Sequence, residues 1–559
     1  MHRLIARLGP ILVVGLVLAF GPAIAATAHP TTTVASSTLA RQTEPVTIVA
    51  EDSPSRATPR GEQTLRLAGP VAGLGALDPA LVRDLDTAFL ARQVFRGLMT
   101  LNGDLEPVPA LAEQVEISAD GLDYRFTLRA NAAFQDGRPI GADDVVFSLT
   151  RALDPATAGG WREALGGPTY LADIDGAEEL LAGKTDRLRG VEALDERTVA
   201  VRLVAPRATF LMKLSGISAA VVDRRTVGDG EWWRTPNGSG PFRVAEWIVN
   251  ESLILARFDG FYAGPPPLAR IEFRLGAQAA QPFNLYQAGE IDLTRLPDDA
   301  VDRALDPAGG VAADVTVAPM FAVGYIAFNP TVAPMDDAQI RRAVRLAFPA
   351  EKIAAVARNG HVLRAAGMVP HGMLGRQWPV ASPDADIAAA RRAIAASRYG
   401  TAARVPPVRI YGGSPTGAEA LRDVLGEELG LRVEVVAVDW GQFLDGLTRD
   451  EYPAYELYWG ADYPDPESFL QSLFGSTSSD NYIDYTNPEM DRLLATAAEL
   501  FDPAERAVLY AEAQALLLAD DVVIPLYYDV RYVAVSSAVH GLILSPLGIV
   551  GLDGVWMEH

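Results

Sequence analysis

The chain has no cysteine in 559 residues. That absence removes disulfides, thiolate zinc sites and cysteine nucleophiles together. It also removes the residue that a diacylglyceryl anchor needs, so a lipoprotein is not expected. Lysine is nearly missing: 3 Lys stand against 45 Arg, a bias read as GC-rich coding rather than function. Histidine is scarce, at His2, His29, His361, His371, His540 and His559. None of these forms HExxH or another close pair at ligand spacing. His361 and His371 lie in a Gly- and Pro-containing loop and read as surface residues, so no metal is expected. There is no GxSxG elbow and no P-loop, and Gly73-Leu74-Gly75 lacks the third glycine of a dinucleotide fingerprint. The carboxylate pairs Asp143/Asp144 and Asp520/Asp521 fall at helix boundaries, where capping and the helix dipole account for them. Nothing here argues for an enzyme or a cofactor. Positive charge is also in deficit: the net charge is −23, which disfavours nucleic acid and anionic membrane surfaces as partners. After the N-terminal segment, no apolar run approaches the roughly 18 residues of a membrane span, so the mature chain is expected to be soluble.

What is present begins with an address. His2, Arg3 and Arg7 make a basic region, Leu8 to Phe20 is apolar, and Ala23-Ile24-Ala25 is a small-x-small cleavage pattern. Residues 1–25 are therefore expected to be a cleaved signal peptide. Residues 26–62, rich in Thr, Ser, Ala and Pro, read as a disordered linker. Order is expected from Gln63, with an alternating strand through Ala68. Further alternating segments include Tyr124 to Leu128, Val199 to Leu203, Leu253 to Arg257, Ile271 to Leu275 and a short strand at Tyr325 to Phe328. Leu90, Val94 and Leu98 recur at helical spacing. Asp336-Asp337, Asn487-Pro488 and Asp502-Pro503 mark helix starts, the last with Glu505 in a capping box. Val408 to Tyr411, a helix and Val433 to Val438 form a βαβ-like unit, and Val522 to Tyr528 returns as a strand. Strands and helices mix without a repeat period, which indicates an α/β or α+β chain and not a solenoid.

The most informative stretch is Tyr455 to Leu470. Tyr455, Leu457 and Trp459 alternate as on a strand edge. The chain then breaks at Gly460, Pro464 and Pro466. Asp462 sits in this loop between Trp459 and Tyr463. A carboxylate among aromatic rings is what a site for a cationic group requires, although a solvated turn would also contain these residues.

Several segments in order resemble one family. They are Pro109-Ala110-Leu111-Ala112-Glu113, Ser118 to Arg129, Phe134-Gln135-Asp136-Gly137-Arg138-Pro139 and Ala142 to Ser148. Gly238-Ser239-Gly240-Pro241-Phe242, Ala327-Phe328-Asn329 and Trp459 to Pro466 follow. Together they are similar to the bacterial extracellular solute-binding proteins of the peptide/nickel type, family 5, from about residue 63 onward. The resemblance implies an α/β periplasmic-binding-protein fold (type II, cluster C). In it two large lobes close on a solute, and a third lobe is inserted. By order, lobe I takes 63–98, 219–319 and 527–559, lobe II takes 99–218, and lobe III takes 320–526. The chain would cross the hinge near 317–322 and 524–530. The implied function is a monomeric periplasmic receptor that delivers oligopeptides or dipeptides to the permease subunits of an ABC importer. Nickel chelates, opines, glycosides and haem are alternative solutes within the family, and sensing or chaperoning is an alternative role. The resemblance places the peptide α-ammonium on Asp462. The ligand-binding candidates are Asp462 with Trp459, Tyr458, Gly460 and Tyr463. Tyr458 stands where peptide binders often carry Gly, and Phe348-Pro349-Ala350-Glu351-Lys352 replaces the usual Asp-Arg pair. No residue for a solute's carboxylate end carries over.

Overall fold

A computed structural model describes residues 46–49, 63–71, 74–161, 164–228, 230–375, 378, 384–449, 451–549 and 551–558. The expected signal peptide, its Ala23-Ile24-Ala25 cleavage pattern, and most of the expected linker lie outside these residues.

The largest sheet carries two kinds of strand. Thr64–Ala68 buries Leu65 and Leu67 and exposes the alternate positions in part, as its sequence pattern requires. Val315–Phe328 differs: from Met320 to Phe328 every residue is buried. That continuous burial belongs to a strand covered on both faces. Its side chains divide by parity. Val323, Tyr325 and Ala327 enter one core with the helices Glu467–Phe474, Pro488–Glu499 and Pro503–Ala519. Ile326 and Phe328 enter another, against the helices Ala338–Leu346 and Thr416–Leu429. The sequence pattern suggests only a short strand at Tyr325 to Phe328. The first half of the strand escapes that pattern because Pro319 and Gly324 interrupt its alternation.

Val315–Phe328 is flanked by Ala454–Gly460 on one side and Val523–Val535 on the other, both antiparallel to it. Beyond Val523–Val535 the sheet continues through Leu293–Arg295, Thr64–Ala68, Arg270–Arg274, Ser252–Arg257 and Phe242–Ile248. A separate core lies there under the helix Leu85–Val94. Asp84 caps that helix by accepting from the Thr87 N–H. Leu98, read as part of its face, lies past its end, because the helix stops at Val94.

A second sheet of five strands packs against the helix Ala142–Arg151. Its edge strand corrects the linker reading. Val46–Val49 is not disordered chain but pairs antiparallel with Ala112–Ile117, from Val46 opposite Ile117 to Val49 opposite Gln114. Four β-favouring residues, Val-Thr-Ile-Val, find a partner edge that composition alone does not reveal. Helix starts follow their caps: Asp337, Asn487 and Asp502 each accept backbone N–H groups of the first turn.

Candidate functional site

Ala454–Gly460 ends at an unusual edge. On one side Tyr458, Trp459 and Gly460 lie opposite Gly324, Val323 and Ala322. On the other side the strand meets Val408–Gly412 only at Tyr455 opposite Tyr411. Among the described residues, 456–460 therefore have a ladder partner on one side only. An N-terminal segment approaches this edge: a side-chain carbon added at Gly460 would lie 4.0 Å from Leu85 Cδ1. Leu85 itself is 56 % exposed. The Leu85 side chain thus stands beside this edge at a partly solvated position.

At the end of the edge the chain turns at Asp462. The turn is fixed from within, because the Asp462 N–H donates to Ser468 Oγ at 2.9 Å. No donor among the described residues meets the Asp462 carboxylate. Its side chain is nevertheless set deep enough that burial, and then the charge of Asp480, push its pKa up to about 7. Asp480 is raised in turn by burial, against the Tyr482 hydroxyl and the Arg83 charge. Tyr170 also faces this point: burial, and then the Asp462 charge, raise its phenol. Among the described residues Asp462 is thus a partly enclosed carboxyl without a counter-cation, at the mouth of a strand edge that is paired on one side.

The other candidates divide. Tyr458 is on the open side, 37 % exposed, and its hydroxyl donates to Asp529 at 2.8 Å. Gly460 is beside Leu85, where a side chain would narrow the space between them. The structure does not bring Trp459 and Tyr463 to the same place. Trp459 packs against the core of Val323 and Tyr325 and donates its indole N–H to the Ser468 carbonyl at 2.8 Å. Tyr463 is buried, with its hydroxyl donating to Glu467 at 3.2 Å and Lys213 over its ring at 5.3 Å. Strand parity explains the first: Trp459 alternates with Tyr458 and Gly460 and so points to the opposite face. Sequence reasoning missed Asp480, Tyr170 and Leu85, which come from three distant segments and carry no local motif.

Just beyond Asp462 lies a fully paired cluster. Lys213 Nζ is 2.7 Å from Glu467 and 2.9 Å from Asp173, Thr209 Oγ1 donates to Glu467 at 2.9 Å, and Arg207 pairs with Asp173 at 2.8 Å. These contacts tie residues 173–213 to the start of the helix Glu467–Phe474. A backbone bond from Ala208 N–H to the Ala498 carbonyl at 3.1 Å reinforces the tie.

His361 and His371 are both engaged locally. His361 Nε2 is 3.1 Å from Asp302, and His371 Nδ1 accepts from the Trp378 N–H. Among the described residues no three His, Asp or Glu side chains gather as a metal-holding group.

Comparison with known proteins gives a consistent result. Residues 106–481 match the model of the bacterial extracellular solute-binding proteins, family 5. The chain is 27 % identical to the periplasmic oligopeptide-binding protein OppA of Escherichia coli K12 over 511 residues, 88 % of this chain and 92 % of that one. It is 28 % identical to heme-binding protein A of Haemophilus influenzae over 506 residues, 86 % and 90 % of the two chains. Among solved structures it resembles the Escherichia coli murein tripeptide binding protein MppA. The TM-score is 0.75 at 25 % identity, covering 90 % of this chain and all of that one.

Proposed function

Because the chain belongs to the bacterial extracellular solute-binding proteins of family 5, we propose that it is the solute receptor of an ABC importer and that its solute is a short peptide with a free amino terminus. The observation that carries this reading is Asp462, an enclosed carboxylate without a cation at the end of a half-paired strand edge. A peptide satisfies both deficits together. Its ammonium supplies the missing counter-charge, and its backbone adds as a strand to residues 456–460. Tyr458 and Gly460 border that strand. The name of OppA, an oligopeptide-binding protein, supports the peptide class, and the name of MppA, a murein tripeptide binder, supports a short one.

The lobes run as the chain order suggests, with lobe I at 63–98, 219–319 and 527–559, lobe II at 99–218 and lobe III at 320–526. The second crossing supports this division. Val533 packs in the core under the helix Leu85–Val94, while Val523 and Ile524 of the same strand pack in the cores around Val315–Phe328. A strand whose ends belong to different cores is where a hinge bends. The protein acts as a monomer without catalysis or cofactor and hands its solute to permease subunits. It works in the periplasm after loss of residues 1–25. The names of its relatives and the lack of any helix, among the described residues, long and apolar enough to cross a membrane support that placement.

The test is native mass spectrometry of the secreted protein, followed by calorimetry of the stripped protein against di- to pentapeptides. A co-purified peptide mass, and heats that vanish on N-acetylation of the peptide, are the expected results. A bound non-peptide mass, such as a haem, with no heat from any peptide would overturn the reading.

A further inference from the structure

The strand Val523–Val535, which passes from one core to another, has a broken outer edge. Opposite its long partner Val315–Phe328, it pairs with Val362–Arg364 over Tyr527–Asp529 and with Leu293–Arg295 over Val533–Val535. The break between these two short strands falls at Val530 and Arg531. The turn that leads into Val362 spans that break. Arg358 and Asn359 there take left-handed backbone, at φ +47° and +58°. Residues other than glycine seldom adopt that region, and they keep it only where their surroundings hold them.

What holds the turn is a set of acids. The Arg358 guanidinium lies 2.9 Å from Asp298 and 2.8 Å from Asp529. Asn359 Nδ2 donates to the Asp298 carbonyl at 3.2 Å, and His361 Nε2 is 3.1 Å from Asp302. The Asp529 side chain is fully buried. A buried carboxylate needs a cation and hydrogen-bond donors, and Asp529 takes both from other strands and turns. Its second oxygen accepts from the Tyr458 hydroxyl at 2.8 Å. By the lobe division proposed above, each of these contacts joins lobe III to lobe I. Arg358, Asn359, His361 and Tyr458 come from lobe III, and Asp298, Asp302 and Asp529 from lobe I.

Tyr458 carries this cluster to the open strand edge. It lies opposite Gly324, and Gly324 lies opposite Tyr527, two residues before Asp529. Gly324 has no side chain to block the way, so the Tyr458 phenol crosses the intervening strand and reaches Asp529. A side-chain carbon at Gly324 would also lie 2.5 Å from the Tyr527 ring. In the same arrangement Leu85 of lobe I stands beside Gly460 of lobe III. The lobes are thus brought together at the edge 456–460 while the acids grip lobe III at the hinge.

We propose that Arg358 and Tyr458 form a clamp on the hinge acids Asp298 and Asp529, which holds lobes I and III in this arrangement and so sets the edge 456–460 for the solute. The proposal rests on the lobe division and on the peptide reading. Arg358 is a positioning residue: it acts on solute through the lobes and through Asp529 and Tyr458. The clamp works by population. Apparent affinity falls by the fraction of molecules that hold the binding-competent arrangement. A hinge that opens freely would lower that fraction, and a clamp that already favours the arrangement raises it before solute arrives. Arg358 suits the task because its planar fork reaches two carboxylates at once, whereas an ammonium is a single point of charge.

Two measurements on the stripped full chain test the clamp. Small-angle scattering without solute should give Arg358→Met a larger radius of gyration than wild type, with Arg358→Lys in between. Calorimetry with trialanine should show binding to Arg358→Met weakened about 10- to 150-fold, the range for hydrogen bonds to a charged group. Arg358→Met strands the buried Asp529, so Asp298→Ala serves as a milder variant that keeps the pair with Asp529. It should weaken binding about two- to fivefold, as for a partly exposed pair, and its loss should not add to that of Arg358→Met. Both variants should keep the wild-type loss on N-acetylation of the peptide, which shows that Asp462 and the fold are intact. Wild-type radius and affinity in Arg358→Met, even with a lower melting temperature, would make the cluster a plain structural one and overturn the clamp, while the peptide reading stands. A wild-type radius that trialanine at saturation does not reduce, with Arg358→Met no larger, would overturn the lobe division and the clamp together. If no peptide gives heat with wild type, the peptide reading falls, and the radii of the solute-free proteins still decide the clamp.

Discussion

Asp462 and Glu467 are five residues apart, and the protein treats them in opposite ways. Burial pushes the Glu467 carboxyl up, but Lys213 and Arg506 outweigh it and hold the pKa below the usual glutamate range. Glu467 also accepts from Thr209 and Tyr463. Burial pushes Asp462 up as well, and there a second carboxylate adds to the shift, leaving it at about 7. Burial is common to both, so it cannot distinguish a structural acid from a binding acid; the partners do. A carboxylate whose lone pairs are filled from its own chain holds the fold together. One left short at a solvated edge stores affinity for something that arrives later.

The largest effect should come from breaking the satisfied side. Lys213→Met leaves Glu467 and Asp173 facing one another without their shared cation. Removing one member of such a buried group costs about 3–5 kcal/mol, read as a fall in the denaturant midpoint at unchanged slope. Adding Glu467→Gln to Lys213→Met should recover part of the loss, since one stranded charge disappears with it. An exposed-type cost below about 1 kcal/mol for Lys213→Met would show that the cluster is open to water, and the comparison would lose its first half.

The unsatisfied side should respond in binding. Asp462→Ala strips the peptide's ammonium of its only proposed carboxylate, a loss of roughly 2–5 kcal/mol, or about 30- to several-thousand-fold in Kd. Asp462→Asn keeps the shape and should do nearly as much harm. In a double-mutant cycle with free and N-acetylated peptide, the two losses should not add, because both delete the same pair. Unlike Lys213→Met, Asp462→Asn should leave the unliganded protein as stable as wild type or more so, since it removes an uncompensated buried charge. Full additivity in the cycle would make Asp462 an ordinary loop carboxylate.

Much of this is legible in the sequence alone, for identifiable reasons. Alternation within single strands, such as Tyr124 to Leu128, is a local signal, and so are caps such as Asp502 with Glu505. Both elements form where the pattern puts them. Family segments around Trp459 to Pro466 point at Asp462 and its loop. What stays hidden is pairing between distant segments. Nothing near Val46 announces the Ala112–Ile117 edge, and nothing near Glu467 announces Lys213, 254 residues away. The aromatic neighbours mislead for a similar reason. Trp459 and Tyr463 adjoin Asp462 in sequence, but strand parity and the turn at Gly460 carry their rings into the core.

The finest distinction between the two acids is the sign of their pH dependence. Asp462 has a folded pKa near 7, raised above an unfolded value near 3.8. Between these values the folded protein binds the extra proton, so this group makes the unliganded protein less stable as pH rises, with no further change above about 7. Glu467 is depressed instead; its contribution is full above the ordinary glutamate value and is lost as pH falls through the folded one. Peptide binding needs Asp462 ionised, so affinity should run against the Asp462 stability trend. From pH 7.5 to pH 6, the ionised fraction of a group with pKa near 7 drops about eightfold, and affinity for a free-amino peptide should fall about five- to tenfold. The peptide's own amine, with a pKa near 8, gains protons over that range and trims the effect slightly. Calorimetry at the two pH values, in buffers of different ionisation enthalpy, measures both the affinity change and the protons released on binding. Proton release near pH 6.5 that disappears in Asp462→Asn is the expected outcome. Flat affinity across this range would mean that the Asp462 carboxyl is already ionised before solute arrives, and the two acids would then differ only in their partners.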